Sequence, residues 1–153
     1  MSILEELDRD LLTATKTEDK FNRDTLRLVK SALHNEKIAQ GQELSDPQTL
    51  SVITREIKKR KESAEAFRLA GRTEAAQTER LEAELLGKYL PPQLAEEELT
   101  AKVIKYLTNH PDQRQIGQVI GALTAEVQGR ADIATLAKIV KEQLAPGQNL
   151  DEG

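Results

Sequence analysis

Two adjacent prolines, Pro91 and Pro92, set the organisation of this 153-residue chain. Proline has no backbone donor and pushes the residue before it out of the helical region. A helix must therefore stop near Tyr89 or Leu90, and another must begin a few residues later. On both sides apolar residues recur at three- and four-residue spacing, and no short run alternates like a strand beside turn residues. The fold class expected is all-α: an N-terminal bundle of long helices over residues 1–90, a compact three-helix unit over 91–145, and a disordered tail over 146–153.

Four helices are expected before the prolines. The first covers Ile3 to Lys16, with Leu4, Leu7, Leu11 and Ala14 on one face. The second runs from Asp19 to Gln40, with Leu26, Val29, Leu33 and Ile38 inward and Gly41 as a left-handed cap. A third opens at Ser45-Asp46-Pro47-Gln48, where Asp46 before Pro47 gives a cap and first-turn proline, and Ser45 with Gln48 fits a capping box. Its inner stripe is Leu50, Ile53, Ile57, Ala64 and Phe67, and Gly71 closes it. The fourth spans Thr73 to Leu86 with Leu81 and Leu85 inward. After the prolines, helices are expected over Glu96–Thr108, Asp112–Val127 and Ile133–Leu144, with Asp132 capping the last. The apolar supply suits helices: Leu (21) and Ala (17) far outnumber Ile (9) and Val (6), and β-branched residues are the weaker helix formers.

What the chain lacks excludes several function classes. With no cysteine, a disulfide scaffold, a thiol nucleophile and a cysteine-based zinc site are ruled out. The opening Met1-Ser2-Ile3-Leu4-Glu5-Glu6 has no basic stretch before an apolar run, and no segment approaches the roughly 18 apolar residues of a membrane span. A cytoplasmic protein without membrane contact is expected. The net charge is −4, so an anionic partner must be met by a local patch. His34 and His110 have no partner at ligand spacing and read as ordinary surface residues, and no metal or cofactor is expected. Glu96-Glu97-Glu98 fits the positive end of a helix, and Glu79, Glu82 and Glu84 read as a solvent face. No nucleophile elbow, Walker loop or dinucleotide fingerprint occurs, so no catalytic residue is assigned.

Two groups of residues invite a binding role. Arg55, Lys58 and Lys59 share a helical face within the run Arg55 to Lys61, and Arg23, Arg27 and Lys30 form a similar stripe on the preceding helix. Merged, these stripes can meet phosphates; apart, they are solvated faces. No aromatic interleaves them, so any nucleic acid would be read by backbone and shape rather than base stacking. The second group is Gly117 and Gly121, four apart within a helix, followed by Gly129-Arg130-Ala131-Asp132. Mid-helix glycine costs roughly 1 kcal/mol relative to Ala, which implies close approach of a neighbouring helix or of a ligand backbone. Gly129 and Arg130 precede a helix start, where amides and a guanidinium can meet a phosphate.

The stretches Thr25 to Leu33, Glu56 to Ser63, Tyr89-Leu90-Pro91-Pro92-Gln93-Leu94, and Gly117 to Gly121 with Gly129 to Asp132 together resemble the YqeY-like proteins, over the chain to about Leu144. The C-terminal part is similar to the tail domain of GatB, a subunit of the tRNA-dependent aspartyl/glutamyl amidotransferase. The resemblance implies a tRNA-contacting module and an association with glutamine-dependent carbon–nitrogen ligase complexes, but the chemistry of that system sits in a catalytic domain nothing here matches. Ile133 follows Asp132 where relatives often carry Gly, and Ala95 stands where a Ser would complete a capping box with Glu98. The function expected is a non-catalytic RNA-contacting accessory protein, its contacts drawn from Gly117, Gly121, Gly129, Arg130, Lys138, Lys141, Arg55, Lys58, Lys59, Arg27 and Lys30. The rivals are a helical protein–protein adaptor without an RNA role and a component of a glutamine-dependent carbon–nitrogen ligase complex.

Overall fold

The computed structural model describes residues 1–145, and they hold seven α-helices and no strand. The expected tail, 146–153, lies outside the described residues. The chain divides into two compact units at Leu90/Pro91.

The N-terminal unit contains α1 (Ile3–Lys16), α2 (Lys20–Gln40), α3 (Asp46–Leu69) and α4 (Thr73–Gly87). The starts of α1, α2 and α3 follow from side-chain caps in their first residues. Ser2 and Glu5 exchange two hydrogen bonds in a capping box at α1, and Asp19 accepts from the Asn22 amide at α2. At α3 the box is Ser45 with Gln48; Ser45 is therefore the cap and Asp46 the first helical residue. Gly41 and Gly71 leave their helices in the left-handed region, at φ 72° and 77°, which a side chain would strain. The core joins Leu7, Leu26, Val29, Leu33, Val52, Ile53, Ile57, Ala83, Leu86 and Tyr89. Tyr89 also donates from its hydroxyl to Asp10 Oδ2 at 2.5 Å, tying the end of the unit back to α1. Burial, and then the Asp10 carboxylate, push the Tyr89 phenol above its ordinary range.

Two inward assignments fail. Leu81 and Ile38 are exposed, at 42% and 65%. On α4 the inner row is Ala76, Ala83 and Leu86, stepping by seven and three, and Leu81 falls to one side of it.

The C-terminal unit contains α5 (Glu96–Asn109), α6 (Ile116–Val127) and α7 (Ile133–Leu144) around Leu99, Val103, Val119, Leu123, Val127, Leu136, Ile139 and Val140. Asp132 caps α7 by accepting from the Thr135 amide. Helix α6 starts four residues later than the sequence suggests. Residues 110–113 form a turn instead, in which the Gln113 amide donates to the His110 carbonyl and the Tyr106 hydroxyl to Gln113 Oε1.

Candidate nucleic-acid interface

The basic stripes of α2 and α3 are largely committed to neighbouring acids. Lys30 on α2 is paired with Asp8 on α1. Arg55 on α3 donates to Glu36 on α2 at 3.3 Å and Gln40 Nε2 donates to it at 2.8 Å; the Gln40 bond first and the Arg55 bond second hold the Glu36 carboxyl below its ordinary range. Arg23 pairs with Asp24 at 3.1 Å and Lys59 with Glu56 at 3.2 Å. Arg27 and Lys58 are exposed and make no ion pair among the described residues. Thus Lys30 and Arg55 act as braces between helices, and the stripes do not form one open cationic surface.

The last arginine of the run is buried. Arg60 is 8% exposed, Nη1 donates to Glu56 Oε1 at 3.0 Å, and Nε lies 3.6 Å from Glu82 Oε1 on α4 without a hydrogen bond. Glu79 and Glu82 therefore do not form the solvent face read from the sequence: both are half-buried, and Glu82 is turned onto Arg60. Burial, then the Glu79 carboxylate, raise the Glu82 carboxyl to about 7, against the opposing pull of Arg60. At Glu56 burial acts upward, but hydrogen bonds from Arg60 and Lys59 outweigh it and lower the carboxyl. The residues had signalled this. Arg60 falls on the inner stripe between Ile57 and Ala64, and Glu79 sits between Ala76 and Ala83. A carboxyl that titrates near neutrality marks functional sites as well as structural joints. Here every group faces an ion-pair or carboxyl partner on α3 or α4, so the cluster joins the hairpin.

In the C-terminal unit the glycines separate into two kinds. Gly117 and Gly121 are exposed, and a Cβ on either would meet no atom within 4 Å. No neighbouring helix requires them, which removes the packing explanation. Gly129 is different. Gln128 and Gly129 both adopt positive φ, 42° and 80°, to end α6 and reverse the chain. The Gly129 carbonyl accepts from Gln93 Nε2 at 2.9 Å, and the Arg130 carbonyl accepts from the Leu94 amide at 2.8 Å. Arg130 Nε donates to the Pro92 carbonyl at 3.0 Å. Gly129 and Arg130 thus clasp the segment after the prolines, which fixes the Arg130 guanidinium while its side chain stays exposed.

All ion pairs found among the described residues lie in the N-terminal unit. In the C-terminal unit Lys102, Lys105, Arg114, Lys138 and Lys141 have no acidic partner among the described residues, and all but Lys102 are well exposed. No group of three or more His, Cys, Asp or Glu among those residues can hold a metal ion, and no helix is long and apolar enough to cross a membrane.

Comparison with known proteins agrees in extent with the two-unit chain. The family model described as Yqey-like protein matches residues 4–144. A protein of Lachancea thermotolerans named altered inheritance of mitochondria protein 41, mitochondrial, is 32% identical over 105 residues, covering 67% of this chain and 56% of its own length. The protein of the same name from Pyrenophora tritici-repentis is 26% identical over 144 residues, covering 92% of this chain and 80% of its own. With the family match running through both helical units, the chain belongs to the YqeY-like family.

Proposed function

We propose that this is an accessory protein without a catalytic site of its own whose C-terminal unit contacts RNA, with tRNA the class suggested by the resemblance of that unit to the GatB tail. The observation that carries the reading is the set of exposed cations in this unit that have no acidic partner among the described residues, including Lys138 and Lys141 on α7. Phosphates can take such cations without breaking an existing pair. Gly117 and Gly121 leave the surface of α6 low enough for a backbone to approach. Arg130, held at Nε, has its remaining donors for a phosphate. Arg27 and Lys58 add a second contact from the N-terminal unit; Lys30, Arg55 and Lys59 do so only by leaving their acids. No residue is assigned to carbon–nitrogen ligase chemistry.

A filter-binding titration with bulk tRNA tests this. Micromolar binding at low salt that weakens steeply as salt rises is expected; no binding in that range contradicts it. The second reading, a helical adaptor for another protein, is favoured by the commitment of the N-terminal cations to internal pairs. A protein partner retained after nuclease treatment supports it. Both relatives are named as mitochondrial, and an organellar location competes with the cytoplasmic one read from the first residues; fractionation of cells expressing the tagged chain decides between them.

A further inference from the structure

The C-terminal end of α5 and its cap carry two ring side chains, Tyr106 and His110. The rings of Tyr106 and His110 are stacked, with centroids 4.1 Å apart and planes inclined by 22°. Tyr106 packs against the unit's core and is half-buried. Its hydroxyl is held by Gln113 Oε1 at 2.6 Å. His110 is anchored twice on the Tyr106 carbonyl, through its backbone amide at 2.9 Å and through Nδ1 at 2.9 Å. That carbonyl can only accept, so Nδ1 donates in this bond. His110 remains partly exposed. The pair is therefore an oriented aromatic surface whose inner ring is fixed by the core and whose outer ring borders solvent.

The surrounding charge is of one predominant sign. Lys102, Tyr106 and His110 follow one another at four-residue steps, which places them in one row along α5 and its cap. Lys105 adjoins Tyr106, and Arg114 follows Gln113. Against these three cations the stretch 102–115 holds one acid, Asp112, and none of the three makes an ion pair among the described residues. The acidic group Glu96-Glu97-Glu98 lies at the other end of the helix, about 15 Å away at 1.5 Å per residue.

We propose that the Tyr106–His110 pair is a stacking platform for one unpaired base of single-stranded RNA, with Lys105 and Arg114 meeting the flanking phosphates. The proposal rests on the RNA reading above and deepens it, because it names an unpaired base, which backbone and shape recognition alone does not need. Aromatic platforms flanked by cations bind bases with little sequence preference, since every base has a π-face.

The test uses the full chain and a short single-stranded RNA bearing 2-aminopurine at one central position, with a matching strand that lacks that base. Binding quenches the 2-aminopurine fluorescence, and the abasic strand binds about tenfold more weakly. His110→Ala lowers affinity for the intact strand to the abasic level, His110→Phe restores both affinity and quenching, and neither changes the salt slope. Circular dichroism melts establish that both variants are folded. Should His110→Ala unfold, the intact-versus-abasic comparison on the parent chain still decides. Equal affinity for both strands, without quenching, overturns the platform and leaves the pair as a cap that closes α5. If tRNA still binds in that case, the RNA reading survives alone. If neither strand nor tRNA binds, the RNA reading and the platform fall together.

Discussion

The two units handle charge in opposite ways. In the N-terminal unit Lys30, Arg55, Lys59 and Arg60 are each tied to a carboxylate, three of them across helices. In the C-terminal unit six basic residues stand among seven acidic ones up to residue 145, yet no ion pair forms among the described residues. Exposed pairs contribute little to stability, so the N-terminal pattern matters chiefly because it occupies cations that an anionic partner would need. The sequence alone shows a denser basic run on α3 than anywhere else. A high count of cations is thus a poor guide to an anion-binding surface unless their acids are also placed.

The largest effect that can break this contrast comes from Arg60. Arg60→Ala leaves Glu56 and Glu82 without their buried cation and is expected to destabilise the N-terminal unit by about 3–5 kcal/mol in urea denaturation. A loss below about 1 kcal/mol shows that the joint is hydrated and that the unit does not depend on it.

Next comes pH. Glu82 holds its proton to about 7 in the folded chain against an ordinary value of 4.5. The folded state then binds more protons across this window. Its contribution is fully present below pH 4.5 and is lost as pH rises through 7. The stability lost between pH 5 and 8 is on the order of 2 kcal/mol, discounted for partial exposure. Glu82→Gln should flatten that decline in melts taken across the range; an unchanged profile locates the titrating group elsewhere. Glu56, lowered in the folded state, works with the opposite sign and loses its contribution only as pH falls into the acid range.

Two smaller changes sharpen the C-terminal side. Helix α5 begins with half a capping box: the Ala95 amide donates to Glu98 Oε1 at 2.9 Å, but Ala95 has no side-chain acceptor to return. Ala95 already has the extended backbone of a cap, so Ala95→Ser is expected to stabilise this unit by about 1 kcal/mol. Gly121→Ala, with open space around the added methyl, should stabilise it by about 0.5–1 kcal/mol and at the same time weaken tRNA binding. A gain in melting temperature with unchanged binding would leave the glycine face without a ligand role.

Much of the fold was legible because its signals are local. The bounds of α1 and α7, the Ser45–Gln48 box, the Gly41 and Gly71 exits and the Asp132 cap each depend on residues within one turn of the event. The start of α6 was misplaced because a hydrogen bond from Tyr106 to Gln113 competes with the helix, and nothing at residues 112–115 announces it. Leu81 drew attention as a leucine, while the alanines of its helix face α3. Charge alone suggests surface for Arg60, Glu79 and Glu82, yet Arg60 lies three and four residues from Ile57 and Ala64, Glu79 from Ala76 and Ala83, and Glu82 from Leu85 and Leu86, which turns them inward. For the candidate site, the sequence supplied the glycines and cations but could not say which cations already had partners. That depends on distances between helices, as with Lys30 and Asp8.

Cations of the C-terminal unit that have no acidic partner among the described residues, and not the braced ones of the N-terminal unit, are expected to meet RNA. Salt-dependent tRNA binding by two full-length triple variants tests it most directly. Arg114→Gln with Lys138→Gln and Lys141→Gln should weaken binding and reduce the slope of log affinity against log salt by roughly 2–3. Lys30→Gln with Arg55→Gln and Lys59→Gln should bind as the parent does. The reverse pattern, with the slope lost in the N-terminal variant and kept in the C-terminal one, would contradict the account.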